Sequence, residues 1–126
     1  MLLAHAVAVV HAVAVVWMLT GALMAVRRSW LVAVHAPVAL AVLGVHLAGA
    51  DCPLTTLELE LRAQAGAPAY RGGFLGHYLF GPLGLDGAAA GTQLGVYALA
   101  IGLNALGYGL VLTGAVRCRL PRRTIS

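Results

Sequence analysis

The chain has 126 residues, 61% hydrophobic and only 10% charged, where a soluble domain carries about 25% charged residues. A water-soluble fold of this size would expose too much apolar surface, so lipid is the solvent that the composition fits. The net charge of +4 comes from eight arginines and no lysine; most sit beside apolar runs, where they read as anchors at anionic headgroups and not as a nucleic-acid surface.

The length allows a single domain over residues 1–126. The first apolar run, residues 2–26, contains no Asp, Glu, Lys or Arg. At 1.5 Å per residue it reaches about 37 Å, enough to span a bilayer with some tilt. A secretory signal places its positive charges before a shorter apolar core. Here Arg27 and Arg28 follow the run, so it reads as a retained helix. The second run, residues 29–50, opens with Ser29 as a candidate N-cap and Trp30 at an interface position, and holds Pro37 inside. A spanning helix tolerates such a proline, with a kink. Only Arg27, Arg28 and Ser29 separate the two runs, which predicts an antiparallel hairpin.

Between residues 51 and 90 the pattern breaks. Thr55-Thr56-Leu57-Glu58 has the form of a capping box, with Thr55 as N-cap and Glu58 reaching back. It predicts a short helix over about 55–65, with Leu54, Leu57 and Leu61 on one face. Glu58 and Arg62 make an i,i+4 pair on another face, and Gly66 and Pro68 stop the helix. A second short helix is predicted over about 73–80, stopped by Gly81-Pro82. Both are too short to span and fit interfacial or re-entrant segments.

The third run covers residues 92–116. Gly91, Gly95, Ala98, Gly102, Ala105 and Gly109 recur at alternating spacings of four and three. Such a stripe of small residues lets another helix approach closely. Asn104, in the middle of the run, is expected to face a helix. Three spans place Arg27 and Arg28 on the same side as Arg117, Arg119, Arg122 and Arg123, with Arg62 and Arg71 opposite. The positive-inside rule then sets the N-terminus and the central segment outside and the C-terminus inside a cytoplasmic membrane. Cys52 and Cys118 fall on opposite faces and form no disulfide framework.

The segment Cys52-Pro53-Leu54-Thr55, Leu57-Glu58, Leu61-Arg62, Ala65-Gly66, Tyr70, Gly72, Phe74 and His77-Tyr78-Leu79 resembles DUF2784, a family of small bacterial membrane proteins. The family pattern runs CPLT-x-LE-x-x-LR-x-x-AG, then Y-x-G-x-F and HYL. His11 and His35 look like the histidine that family members carry in each helix of the first hairpin. The chain departs from the pattern at His46, where an acidic residue is expected, and at Ala50-Asp51, where an aromatic often precedes the cysteine. The resemblance implies a small membrane protein of this architecture and no particular activity.

Several polar groups converge on one level. His11 lies sixteen residues from Arg27 and His46 eighteen from Arg28, about 24 Å and 27 Å from the inner end. Cys52 and His77 enter at that level from the outer segment. A site built from His11, His46, Cys52, Glu58 and His77 offers N, S and O ligands for a transition metal, or two imidazoles for haem b. Each residue also has a structural use. His11, in lipid, is expected to hydrogen-bond another helix; Cys52 serves as a small apolar residue; Glu58 and Arg62 serve the cap. Thr55, Glu58, Arg62, Tyr70, His77 and Tyr78 make a polar motif that holds the outer segment. A Cys52 nucleophile with His77 as its base is the enzymatic option, and no GxSxG, HExxH or phosphate-cradling motif is present. The reading is a non-catalytic scaffold or accessory subunit in a homo-oligomer or larger membrane complex. Its packing face is Gly95, Ala98, Gly102, Ala105 and Gly109, and the alternative is metal or haem binding at the outer face.

Overall fold

The computed structural model describes the backbone of residues 1–119 and side chains through residue 115. The side chains of Arg117, Cys118 and Arg119 and the whole of Arg122 and Arg123 lie outside the described residues. Among the described residues the chain is all helical. α1 (Leu2–Ala25) and α2 (Leu31–Leu47) are followed by α3 (Pro53–Gln64). A short turn, α4 (Gly73–Leu75), runs on into a π-helical turn (Gly76–Phe80), and α5 (Ala90–Arg119) closes the chain.

Two helices, Leu2–Ala25 and Ala90–Ala115, are long and apolar enough to cross a membrane. α2 is shorter than its apolar run, with 17 residues, about 25 Å. Ser29 does not cap it; Trp30 precedes it in helical conformation with no side-chain cap. The chain instead passes from α1 to α2 through consecutive turns, in which Leu31, Val32 and Ala33 donate to the carbonyls of Arg28, Ser29 and Trp30. Two hydroxyls inside the apolar helices bond to their own helix. Thr20 donates to the Val16 carbonyl and Thr113 to that of Gly109.

α1 is the central element and packs against α2, α3 and α5. Its buried residues fall into two groups. Ala4, Ala8 and His11 occupy the N-terminal half, and Gly21, Ala22 and Ala25 the C-terminal end. The second group faces the helix junction. A Cβ on Gly21 would overlap the His35 ring of α2, and one on Gly107 would lie 2.5 Å from the Ala22 backbone. His35 is completely buried there, shares a 2.6 Å hydrogen bond with Tyr108 of α5, and meets the edge of Trp17. One turn along α5, Asn104 donates to the Met18 carbonyl of α1 at 3.0 Å and to its own Ala100 carbonyl. The buried amide thus faces a helix, as its position in the run requires.

α3 begins three residues earlier than a capping box with Thr55 as N-cap would start it. Cys52 is the N-cap, in extended conformation, and Pro53 is the first helical residue. Proline has its φ fixed near the helical value and lacks only an N–H that the first turn leaves unpaired in any case. That start moves Thr55 into the first turn and turns Glu58 into the protein interior, so the capping box does not form. At the far end Gly66 has φ +71, and Gly66 and Ala67 donate to the carbonyls of Ala63 and Arg62. This is a glycine-terminated Schellman end, which satisfies two carbonyls that the helix would leave free.

Candidate functional site

The polar residues of the central segment gather around one carboxylate. Glu58 is 0% exposed. Tyr70 donates to its Oε2 at 3.0 Å and Tyr78 to its Oε1 at 2.6 Å. A carboxylate taken out of water is costly unless donors replace the lost solvent, and here two phenols do so. They come from the loop after α3 and from the π turn, so the carboxylate ties α3, the loop and the turn together. Both phenols are pushed above the usual tyrosine range. Burial is the main cause, followed by the hydrogen bond each makes to Glu58. The π register, with Gly81 donating to the Gly76 carbonyl five residues back, belongs to the turn that carries Tyr78.

Aromatic stacking completes this knot. His77 lies flat on Tyr70, with ring centroids 4.1 Å apart and planes 6° apart. The Arg62 guanidinium sits 5.3 Å from the same ring, and its Nε and Nη2 donate to the Pro68 carbonyl. Arg62 therefore serves the loop after α3 and not an i,i+4 pair with Glu58. Thr55 is buried in the first turn of α3. It lines a shallow groove of about 480 Å³ with Asp51, Glu60 and Tyr70.

One residue of α1 enters this region. His11, 7% exposed, stacks on Phe74 at 4.1 Å. Its Nε2 lies 3.6 Å from the Cys52 Sγ, and its Nδ1 is buried without a partner. The residue beside Cys52 is thus His11 and not His77. His46 stands apart, on the exposed end of α2, with its ring edge-on to Tyr97 of α5 at 6.2 Å. His11, Cys52 and Glu58 share a neighbourhood, while His46 and His77 are held by other rings. Among the described residues no three His, Cys, Asp or Glu side chains are placed to hold a metal ion together.

The small-residue face of α5 points away from the bundle. Gly95, Ala98, Gly102, Ala105 and Gly109 are all exposed, and a Cβ added at Gly95, Gly102 or Gly109 meets nothing within 4 Å. The close approach to α1 is made by Gly107 instead. The residue that the periodicity of the stripe misses is Gly107, and its signal was local: it sits between Asn104 and Tyr108, the two polar residues of the same run.

Comparison with known proteins identifies one family. The model of DUF2784, described as a protein of unknown function, matches residues 1–109. No curated protein and no solved structure matches the chain.

Proposed function

The chain belongs to the DUF2784 family, and on that premise we propose that it is a bacterial integral membrane protein with three spans, α1, α2 and α5. In this reading residues 1–126 form one membrane domain, with the N-terminus and the Glu58 knot outside and the C-terminus in the cytoplasm. Its role is a non-catalytic scaffold or accessory subunit that packs the outer face of α5 against a further membrane helix. The observation that carries this reading is the orientation of α5. One face, through Asn104, Gly107 and Tyr108, is used up by α1 and α2. The opposite face keeps a run of exposed glycine and alanine with nothing within 4 Å of its glycines among the described residues, which suits close approach of a second helix in lipid.

The test is Gly102→Leu, alone and with Gly95→Leu. Because a Cβ at either position meets nothing within 4 Å among the described residues, the helical bundle is expected to keep its stability. The assembly is expected to dissociate at least about ten-fold more readily, equivalent to about 1.4 kcal/mol, when read as subunit number by single-molecule photobleaching in bilayers. A protein that is monomeric before and after substitution, with no defined membrane partner, sinks the scaffold reading.

A second reading, a transition-metal or haem site at the outer face, is favoured by one geometric fact. A metal about 2.3 Å from a thiolate and about 2.05 Å from an imidazole nitrogen spans the 3.6 Å between Cys52 Sγ and His11 Nε2 at a near-tetrahedral angle. Elemental analysis with a Soret-region spectrum of purified protein decides it. Stoichiometric metal or haem, lost in His11→Ala, supports the site; a metal-free, haem-free sample ends it.

A further inference from the structure

We propose that Cys52 is a nucleophilic thiol, with His11 as its proton acceptor, that exchanges with disulfides presented at the outer face. Three observations converge on this sulfur. Cys52 is a free cysteine and only half-buried, so a small reagent reaches it. It is the N-cap of a 12-residue helix and its side chain makes no capping bond, so the sulfur lies at the positive end of the helix dipole, where negative charge is favoured. The imidazole aimed at it, His11, is buried and has this sulfur as its hydrogen-bonding neighbour through Nε2, while Nδ1 has none.

The proton has a defined route. In the tautomer with hydrogen on Nδ1, Nε2 accepts from the thiol. When sulfur attacks, Nε2, 3.6 Å away, takes that proton. In the exchange, Cys52 Sγ bonds to one sulfur of R–S–S–R′ and the S–S bond breaks. R′–S⁻ leaves and receives the proton from His11. The products are the mixed disulfide Cys52–S–S–R and R′–SH, with no external oxidant or reductant. Disulfide is the electrophile that this arrangement suits. Acyl transfer needs donors arranged around a developing oxyanion, and Pro53, following the thiol, removes the first N–H that would supply one. Exchange at sulfur needs a nucleophile, a proton acceptor and access. This choice of substrate rests on the orientation proposed above, which puts Cys52 on the oxidising side, where disulfides persist.

The experiment uses full-length, metal-free Cys118→Ser protein in detergent, so that Cys52 is the reacting thiol. Its outcome is independent of any scaffold partner. Thiopyridone release from dithiodipyridine is followed at neutral pH, with a peptide of residues 48–58 as the reference thiol. The protein is expected to react at least about ten-fold faster than the peptide, and His11→Gln to fall to the peptide rate. The comparison of protein with peptide needs no variant to fold. A protein that reacts no faster than the peptide, or a folded His11→Gln variant as fast as its parent, overturns the proposal.

Discussion

Glu58→Ala is expected to release the outer segment while α1, α2 and α5 stay packed. Both carboxylate oxygens are in use, and the side chain is completely buried. Removing it strips Tyr70 and Tyr78 of their acceptor and leaves a void among α3, the loop and the π turn. Tyr70 is half-buried and Tyr78 38% exposed, so water replaces part of what the phenols lose; with hydrogen bonds to a charged group worth about 1.5–3 kcal/mol net and a cavity adding to that, the loss is about 2–4 kcal/mol. That is a large share of the stability of a small fold. The helix junction does not share these contacts; His35, Tyr108, Asn104 and Gly107 meet elsewhere. The measurement is limited trypsin digestion, because Arg62 and Arg71 are the arginines between α2 and α5. Glu58→Ala should be cut at both while the apolar helices stay intact. Glu58→Gln, which keeps the shape and one acceptor oxygen, should be cut more slowly. Wild-type resistance in Glu58→Ala would show that the knot does not hold the segment.

The same knot sets an alkaline limit. Tyr70 and Tyr78 are raised above the ordinary value of 10.0, first by burial and then by the bond to Glu58. The unfolded segment therefore loses its phenolic protons at lower pH than the folded one. Above pH 10 the unfolded state binds fewer protons, and stability falls as pH rises. The contribution is complete below pH 10 and disappears as pH climbs through the folded values. Hydrogen exchange in residues 53–80 should accelerate in that window. The window should narrow from its upper end in Glu58→Gln, where the negative charge that opposes phenolate is gone.

The elements and their order were legible because apolar runs and glycine stops are local signals. The run over residues 2–26 predicts α1 to within a residue, and Gly66 ends α3 where a left-handed residue is needed. The start of α3 was misjudged because two local rules competed. Thr55 and Glu58 have the spacing of a capping box, but Cys52-Pro53 supplies an earlier start, and Glu58 has better partners in Tyr70 and Tyr78. Those partners lie 12 and 20 residues away, beyond any helical period. The same applies to the candidate site. Helix heights bring His11 to the level of Cys52, but rotation about the helix axis decides which histidine faces inward. That rotation left His46 on the exposed end of α2 against Tyr97, while His77 was claimed by stacking on Tyr70.

Rotation about the axis also separates two substitutions that look alike on paper, Gly102→Ala and Gly107→Ala. Each adds one methyl to α5, five residues apart. At Gly102 the methyl meets nothing within 4 Å, and replacing glycine inside a helix gains up to about 1 kcal/mol. At Gly107 the same methyl would lie 2.5 Å from the Ala22 carbonyl carbon and 2.7 Å from its Cβ and oxygen. That obstacle is backbone of α1, so no side-chain rotation relieves it, and the helices must move apart. Overpacking of this kind costs about 1–3 kcal/mol. The shift also falls between the two hydrogen bonds that fix α5, Asn104 to Met18 and Tyr108 to His35, so both are stretched together. Unfolding in mixed micelles should therefore show Gly102→Ala as stable as wild type or better and Gly107→Ala clearly weakened, with Gly107→Leu unable to hold α5 against α1. Equal stability of the two alanine variants would mean that α5 meets α1 through another face. The glycine stripe at Gly95, Gly102 and Gly109 would then be the internal seam, and the scaffold reading would lose its free surface.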